Sequence, residues 1–255
     1  MLEAGAEPVL GFRLRMRLGA GAFAEVWDAT TPAGSHVAMK FIDSRSKDAA
    51  LLRAEIRILQ ALTNARHPNL IQLLGVYASS HYMVLCMERA EGNLQELREV
   101  YWESTGQHIP VDHLLEILEQ AASGLDFLSG LRLPGFNQSS SGMQHCDVKP
   151  SNLLLLGETV KVADFGLCAG EGQRTHKKGW RGTPPYAAPE LNRGRPSPTT
   201  DQFGLAVTYC DLLAGDKFFF PAETWGRGST ISVNLSKVPE RQRPVLERAL
   251  AMDPT

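Results

Sequence analysis

Apolar and polar residues alternate in several short segments of the N-terminal third of the chain, as they do in half-buried strands. The alternation predicts strands over residues 12–18, 24–30, 36–42, 70–77 and 82–87. Between the third and fourth of these, apolar residues recur at helical spacing and predict a helix over 48–62. Beyond Glu88 the spacing becomes helical, and helices are predicted over 94–101 and 111–131. The pattern therefore predicts a β-rich part that joins a helix-rich part near residues 88–92.

The composition is that of a folded globular protein, with 255 residues, 43% hydrophobic residues and a formal net charge of -2. The balanced charge argues against binding to nucleic acid through a general basic surface, and we expect no nucleic-acid partner. No apolar run approaches the roughly 18 residues that span a bilayer, and the N-terminus lacks a secretory signal. The four cysteines form no CxxC pair, which favours reduced thiols. We therefore predict a cytoplasmic protein, with a membrane anchor beyond residue 255 left open.

A glycine-rich turn, Gly19-Ala-Gly21, connects the first two predicted strands. Glycines let the backbone turn sharply and approach a phosphate closely. A strand and not a helix follows from Ala24, which argues against a dinucleotide-binding fingerprint and for a β-hairpin that covers phosphates. Taken alone, the motif also fits an ordinary hairpin turn.

Charged residues stand at the ends of two predicted strands. Lys40 lies near the end of the third strand, and its burial would require an anion such as Glu55 on the following helix. Taken alone, Lys40 also fits a solvated strand end. Asp164 follows a strand predicted over 160–163 and stands two residues before Gly166, a position that suits a magnesium ligand.

The densest cluster of reactive side chains is the octet His145-Cys-Asp147-Val-Lys149-Pro-Ser-Asn152, directly before an apolar strand predicted over 153–156. A carboxylate, an ammonium and an amide that converge beside a strand can orient a hydroxyl, neutralise a phosphate and bind a metal. The octet therefore indicates a catalytic loop more strongly than a structural turn.

In this order, and followed by the segment Gly182-Thr183-Pro-Pro-Tyr186-Ala-Ala-Pro-Glu190, these motifs resemble the eukaryotic-type serine/threonine protein kinase family, in a variant with His-Cys-Asp in the catalytic loop. The resemblance covers nearly the whole chain. It implies a bilobal protein-kinase-like fold of the α+β class, with a small β-rich N-lobe over about 1–87. A hinge over 88–92 and a larger helical C-lobe over 93–255 would follow.

The resemblance implies that ATP and Mg²⁺ are the cofactors, and it assigns residues to them. Lys40 would contact the α- and β-phosphates and pair with Glu55. Asp164 and Asn152 would hold the metal. The other nucleotide-binding residues would be Leu18, Gly19, Ala20, Gly21 and Val26 in the glycine-rich loop, Ala38 and Leu154 around the adenine, Met87 as gatekeeper, and Glu88 and Ala90 in the hinge.

For catalysis, the resemblance implies that Asp147 accepts the proton of the substrate hydroxyl and that Lys149 steadies the γ-phosphate. Thr183 would bond near both of them, and Asp201 would brace the loop from a core helix. Lys149-Pro and the loop that contains Thr183 are similar to those of serine/threonine kinases. The expected function is transfer of the γ-phosphate of ATP to Ser or Thr hydroxyls of protein substrates.

Three features depart from the family pattern, and the first is Ala24, which replaces the third glycine of the glycine-rich loop. Cys146 stands where many kinases place an arginine that pairs with an activation-loop phosphate, so we hypothesise that activity does not depend on phosphorylation read through position 146. The basic residues within 164–190 indicate either a solvated loop or a surface that attracts acidic substrates. The chain ends before the arginine with which family members pair Glu190. We therefore expect that carboxylate to lack its buried partner, and it stays open whether the chain is a piece of a longer protein.

Two other classes of function stay open. A pseudokinase scaffold would fit Cys146, Ala24 and the missing tail, but the residues needed for transfer, Lys40, Asp147, Asn152 and Asp164, are all present. A small-molecule phosphotransferase would share the catalytic loop but would generally lack the segment 182–190. The loop over 132–144 is read as an exposed insertion without an assigned role.

Overall fold

The chain folds into two compact units, Met1–Glu91 and Gly92–Thr255. The computed structural model describes residues 2–21, 24–45, 49–64, 66–131, 142–170, 182–214 and 235–251, with the backbone alone at 49–55, 64, 192 and 214. Each unit has its own sheet structure and its own buried residues.

The first unit is built on a five-stranded antiparallel sheet. Its strands are β1 (Arg13–Ala20), β2 (Ala24–Thr30), β3 (His36–Asp43), β4 (Leu73–Ser79) and β5 (Tyr82–Glu88), in the order β1-β2-β3-β5-β4. Helix α1 (Ala49–Asn64) connects β3 to β4. All the strands and the helix predicted here are present. The fourth strand begins later than predicted, because Leu70 N–H donates to the carbonyl of His67 and closes a turn there.

The two faces of this sheet carry different side chains. Strand register pairs Trp27 with Met39 in one row and Val26 with Lys40 in the next, and successive rows point to opposite faces. The first face carries an apolar cluster, called here the sheet core. Its buried members are Val9, Leu14, Trp27, Ala29, Val37, Met39, Phe41, Val84 and Cys86.

Residues 2–12 cover part of the sheet core before the first strand begins. Two backbone hydrogen bonds, of 2.8 and 2.9 Å, join this segment to Leu14 of β1. Val9 is 8% exposed, and the ring of Phe12 packs on that of Tyr77 with centroids 5.1 Å apart. The segment therefore adds both hydrogen bonds and apolar surface to the sheet.

Replacing Val9 by Asp is expected to lower the free energy of unfolding by about 3 kcal/mol, because the change loses apolar burial and buries a carboxylate. The neighbouring residue Leu10 is a matched control, since it is 93% exposed. Leu10→Asp is expected to change the free energy by less than about 0.5 kcal/mol. Urea unfolding followed by tryptophan fluorescence measures both variants. Equal effects would show that the segment lies outside the core.

The second unit is mainly helical. Its described helices are α2 (Leu94–Thr105), α3 (Val111–Gly130), α4 (Thr200–Ala214) and α5 (Arg243–Ala249). Strand β6 (Gly92–Asn93) pairs with β8 (Leu153–Leu156), which pairs with β9 (Thr159–Val162). Strand β7 (Met143–Gln144) pairs with β10 (Ala169–Gly170). The sequence pattern did not predict α5, because a helix of two turns shows little periodicity.

Helices α3 and α4 supply much of the core of the second unit. The apolar stripe of α3 is buried at Leu114, Ile117, Ala121, Leu125 and Leu128, which is why its periodicity located the helix correctly. The apolar run over 203–210 belongs to α4, which is buried on nearly all sides. Among the described residues, no helix is long and apolar enough to cross a membrane.

Two expectations concern segments that fall mainly outside the described residues. Of the loop over 132–144, residues 142–144 alone are described. The basic residues at 174–181 are not described at all. Residues 142–144 are buried and Met143–Gln144 form β7, so the prediction of an exposed loop is wrong there and stays a prediction over 132–141. The surface for acidic substrates also stays a prediction.

Candidate active site

The octet predicted to be catalytic forms the loop between β7 and β8, and Asp201 at the start of α4 fixes its beginning. The carboxylate of Asp201 accepts the backbone N–H of His145 at 2.6 Å and that of Cys146 at 2.8 Å. Cys146 has a φ of 65°, a left-handed conformation that residues with a Cβ rarely adopt. Burial raises the pKa of Asp201, although His145 and the two N–H donors oppose the shift. The expected bracing contact is present, and it holds the loop in an otherwise unfavourable turn.

His145 connects this loop to the residues just before Asp164. Its Nε2 lies 2.9 Å from the carbonyl oxygen of Ala163, and its Nδ1 lies 3.3 Å from the backbone nitrogen of Asp147. A carbonyl can only accept, so we assign the proton to Nε2, and Nδ1 accepts from Asp147. The ring also meets Phe165 edge-on, with centroids 5.5 Å apart. His145 thus orients two stretches that carry candidate catalytic carboxylates.

Asp147, Lys149 and Thr183 form a closed triangle of polar contacts. The Thr183 hydroxyl donates to Oδ1 of Asp147 at 2.7 Å, and Nζ of Lys149 donates to the Thr183 oxygen at 2.7 Å. Nζ of Lys149 also lies 3.0 Å from Oδ2 of Asp147. The side-chain amide of Asn152 donates to the same Oδ2 at 3.0 Å and to the Asp147 carbonyl at 2.8 Å. The carboxylate is therefore held in one orientation beside a positive charge.

The groups of this triangle can bind the hydroxyl of an alcohol and accept its proton. Oδ1 of Asp147 already accepts one hydroxyl, that of Thr183, at normal hydrogen-bond length. A carboxylate in that geometry can take the proton of an attacking alcohol. The adjacent ammonium of Lys149 can offset negative charge that develops on a transferred group. The expectation that Thr183 bonds near both residues agrees with these contacts.

Asn152 and Asp164 flank the β8–β9 hairpin at the same end. The two strands are antiparallel, and Ala163 N–H donates to the carbonyl of Asn152 at 2.9 Å. The amide nitrogen of Asn152 is used on Asp147, so its amide oxygen is the atom that a cation would contact. Asp164 is exposed and has a φ of 68°. One carboxylate and one amide oxygen fit Mg²⁺, which completes its shell with water and phosphate oxygens.

In the first unit, the predicted nucleotide-binding residues share one face of the sheet. Val26 pairs with Lys40, and Ala38 pairs with Met87. Ala38 and Lys40 are two residues apart on one strand, so their side chains point the same way. This face is opposite to the sheet core. The fold therefore brings these four predicted residues together on one surface.

The roles predicted for Glu55, as the partner of Lys40, and for Leu154, beside the adenine, stay predictions. Glu55 lies on α1, and its side chain falls outside the described residues, so the pairing of Lys40 with Glu55 is not described. Lys40 itself is half-buried in β3. Leu154 lies on β8 in the second unit, where it pairs with Asn93 on one side and Lys161 on the other.

The glycine-rich turn contains glycines that packing does not require. A Cβ at Gly19 would meet no atom within 4 Å, and one at Gly21 would meet the Ala24 carbonyl oxygen at an ordinary 3.8 Å. Neither glycine has a left-handed φ, so backbone conformation does not require glycine either. The neighbouring residues Leu18 and Ala20 are exposed. The open space around both glycines is compatible with close approach of a ligand to the backbone, which stays a prediction. Residues 22 and 23 lie outside the described part of the loop.

The predicted hinge is attached to the segment before β4 through Glu88. Its N–H donates to the carbonyl of Gln72 at 3.1 Å, and its Oε1 accepts the N–H of Gln72 at 2.9 Å. Two bonds to one residue fix the position at which the hinge begins. Ala90, the other predicted hinge contact, is 8% exposed.

The loop that carries Thr183 is attached to two helices by a buried carboxylate. Asp211 of α4 is 1% exposed, and its Oδ1 accepts from Nη1 of Arg98 on α2 at 2.9 Å. Its Oδ2 accepts the hydroxyl of Tyr186 at 2.8 Å. Sequence reasoning missed this contact. The signal that could have found it is a lone acid at the end of the apolar run over 203–210, because a charge inside a core helix needs partners.

Glu190, for which the sequence predicts that the family's arginine is missing, accepts hydrogen bonds from two hydroxyl groups. Its Oε1 accepts the hydroxyl of Ser197 at 2.8 Å and that of Thr200 at 2.6 Å. Thr200 is the first residue of α4, so one of the two hydroxyl donors lies at the start of a helix. The sequence prediction considered only the family's arginine as a partner for Glu190, so it missed these hydroxyl donors.

The four cysteines are buried and form no disulfide bond with one another, as the sequence predicts. Burial raises the pKa of Cys86 to about 11 and that of Cys210 to about 12. Both thiols are therefore protonated at neutral pH and unreactive as nucleophiles.

Comparison with known proteins relates the chain to one family. A family model described as "Protein kinase domain" matches residues 12–245. The serine/threonine-protein kinase TIO of Arabidopsis thaliana is 30% identical over 240 residues, which cover 91% of this chain and 17% of that protein. CBL-interacting protein kinase 20 of Oryza sativa subsp. japonica is 30% identical, over 100% of this chain and 56% of that protein. CBL-interacting protein kinase 4 of the same organism is 33% identical, over 82% of this chain and 46% of that protein. The chain thus spans less than two thirds of the length of these relatives.

Proposed function

The chain belongs to the protein kinase family, and on that premise we propose that it transfers the γ-phosphate of ATP to Ser and Thr hydroxyls of protein substrates. The observation that carries the proposal is the triangle of Asp147, Lys149 and Thr183, held together by contacts of 2.7 to 3.0 Å. It combines a proton acceptor, a cation and a hydroxyl-bonding loop within the candidate catalytic site. Phosphoryl transfer asks for that combination of positioning and charge neutralisation.

Asp147 is the proposed base. Its carboxylate orients the hydroxyl of the acceptor and takes its proton as the oxygen attacks phosphorus. Lys149 neutralises charge on the phosphoryl oxygens, while Asn152 keeps the carboxylate oriented through its bond to Oδ2. The fixed geometry means that little reorganisation accompanies the reaction.

Asp164 and Asn152 are the proposed ligands of Mg²⁺, which supplies charge neutralisation at the phosphates when bound. Lys40 would contact the α- and β-phosphates, and the backbone of the glycine-rich turn would approach them. Adenine would be bound by the carbonyl of Glu88 and the N–H of Ala90, beside Val26, Ala38, Met87 and Leu154. We include Leu18, Gly19, Ala20, Gly21 and the pairing of Lys40 with Glu55 in this proposal.

The contacts of Thr183 support Ser and Thr as acceptors. Its hydroxyl bonds to both Asp147 and Lys149, which supports a small aliphatic alcohol as a partner for the proposed base. Relatives whose names include serine/threonine-protein kinase support the same acceptor class. A cytoplasmic site of action, protein substrates and the absence of a nucleic-acid partner belong to the same proposal.

The test is transfer of radiolabelled γ-phosphate from Mg·ATP to a mixture of proteins, with Asp147→Asn as the impaired control. Acid hydrolysis of the labelled proteins should release phosphoserine and phosphothreonine without phosphotyrosine. Sugars and antibiotics offered as acceptors in parallel should stay unlabelled.

Other outcomes identify other functions. Labelling of a small molecule in place of protein would indicate a small-molecule phosphotransferase. Nucleotide binding without any transfer by the wild-type chain would indicate a scaffold. Either result would contradict the proposal.

A further inference from the structure

A buried carboxylate on β2 contacts the predicted hinge, and the function proposed above does not use it. Asp28 is 4% exposed, and its Oδ1 lies 3.8 Å from Nε of Arg89. Arg89 stands between Glu88 and Ala90, the two residues proposed to bind adenine. Its Nε is buried without a hydrogen-bond partner among the described residues. The ion contact with Asp28 therefore offsets the burial of this nitrogen.

Asp28 also contacts two basic side chains outside the hinge. Nδ1 of His36 on β3 lies 3.1 Å from its Oδ1, and Nη1 of Arg15 on β1 lies 3.4 Å from its Oδ2. Both contacts are shorter than the one to Arg89, but these side chains are 46% and 51% exposed, against 26% for Arg89. Solvent screens the exposed contacts more effectively. Arg89 is therefore the partner that depends most on Asp28.

Strand register places Asp28 on the face that carries the predicted nucleotide-binding residues. Asp28 pairs with Ala38, and Ala38 pairs with Met87, so the three residues form one cross-strand row. The neighbouring row on this face contains Val26 and Lys40. Asp28 therefore contacts Arg89 from the strand face on which ATP is proposed to bind.

The hinge consequently has two successive side-chain attachments. Glu88 bonds twice to Gln72, and Arg89 pairs with Asp28 one residue later. The carbonyl of Glu88 and the N–H of Ala90 lie on either side of Arg89, so the backbone torsions of Arg89 set how these groups are aimed. Holding Arg89 in place reduces the ordering that a ligand must impose when it binds.

We propose that Asp28 is a positioning residue for nucleotide binding that acts through Arg89. The inference rests on the proposed function only where that function assigns Glu88 and Ala90 to adenine. The carboxylate would not touch the nucleotide. It would hold the guanidinium of Arg89 in place, and this side chain would in turn hold the backbone of the hinge.

Two variants remove the contact from opposite sides, Asp28→Asn and Arg89→Met. Each is expected to raise the KM for ATP, and the Kd of a fluorescent ATP analogue, by about three- to tenfold. The kcat should stay within about twofold, because neither residue touches the reacting atoms. The double variant should raise KM no more than the more severe of the two single variants does. The reason is that both substitutions remove the same contact, the one between Asp28 and Arg89.

Asp43→Asn is the matched control. Asp43 is also a carboxylate of this sheet with an arginine partner, Arg45 at 2.7 Å, but it lies at the far end of β3 from the hinge. Its KM and Kd should stay within about twofold of the wild type. Amide hydrogen exchange without nucleotide adds an independent readout. Exchange at residues 88–91 should be faster in Asp28→Asn and unchanged in Asp43→Asn.

A purely structural role gives a different result. If Asp28→Asn lowered the unfolding temperature but left KM, Kd and exchange at the hinge unchanged, the proposal would be overturned. Additive effects in the double variant would also overturn it.

A wild-type chain that bound nucleotide without transferring phosphate would contradict the proposed function alone, because the Kd for nucleotide and the amide exchange at the hinge would still decide the role of Asp28. A wild-type chain that bound no nucleotide would overturn both.

Discussion

Asp147→Asn is expected to lower kcat for transfer to a protein acceptor by about two to four orders of magnitude. The substitution removes the carboxylate that would take the proton of the acceptor hydroxyl, while the side chain keeps nearly the same size. Nucleotide affinity should change by less than about threefold, since Asp147 is not among the residues proposed to bind ATP. The expected signature is thus a loss of kcat at a nearly constant KM for ATP.

The contacts of Asp147 explain why an amide cannot substitute for its carboxylate. Oδ1 accepts from Thr183, and Oδ2 accepts from both Lys149 and Asn152. An asparagine has one acceptor oxygen, so its NH₂ group must face at least one of these donors. The variant therefore loses the base and also disturbs the orientation of the neighbouring groups.

Asp126→Asn is the matched control for this prediction. Asp126 lies on α3 in the same unit, and its side chain is exposed. Its kcat and thermal unfolding should equal those of the wild type. Steady-state kinetics with saturating ATP measure both variants, and circular dichroism verifies that both are folded. A kcat for Asp147→Asn within tenfold of the wild type would contradict the assignment of Asp147 as the base.

The family and fold class could be predicted from the sequence because the informative residues are close together along the chain. Asp147, Lys149 and Asn152 fall within one loop, and Asp164 follows the hairpin that this loop begins. The strands of the first unit alternate clearly because one face covers the sheet core. The match to the protein kinase family confirms the predicted α+β protein-kinase fold.

Contacts between residues far apart in sequence could not be predicted from the local pattern of residues. Arg98 and Asp211 are separated by 113 positions, and no periodicity connects them. Thr183 was placed beside Asp147 through the resemblance alone, since 36 positions separate the two residues. Hydrogen bonds donated by hydroxyl groups are harder still to predict. Ser and Thr are common in loops whether or not their hydroxyls bond to a distant residue, so the sequence around Ser197 and Thr200 does not indicate their contact with Glu190.

Asp28 shows why position within a sheet matters more than local pattern. In the sequence it is one polar residue in an alternating strand, where the usual interpretation is a solvated side chain. Register places it between Met16 of β1 and Ala38 of β3, and it is 4% exposed. The alternation of β2 located the strand correctly but could not reveal that its polar face is covered.

Arg98→Met is expected to lower the free energy of unfolding by about 3 kcal/mol, because it leaves the carboxylate of Asp211 buried without its guanidinium partner. Methionine preserves the apolar part of the arginine side chain, so the change isolates the charge. Tyr186 still donates to Oδ2, which keeps the loss below that of a fully unpaired charge. The transfer rate should fall as well, since Tyr186 belongs to the loop that carries Thr183.

Two further variants separate the buried charge from other effects. Asp211→Asn added to Arg98→Met should restore more than half of the lost stability, because a neutral amide still accepts from Tyr186 and needs no cation. Arg45→Met breaks an exposed ion pair, in which Arg45 is 67% exposed, and should leave the urea midpoint unchanged. If Arg98→Met shifted the midpoint no more than Arg45→Met does, Asp211 would be compensated by its other contacts. The helix-to-loop attachment would then depend on Tyr186 and not on the ion pair.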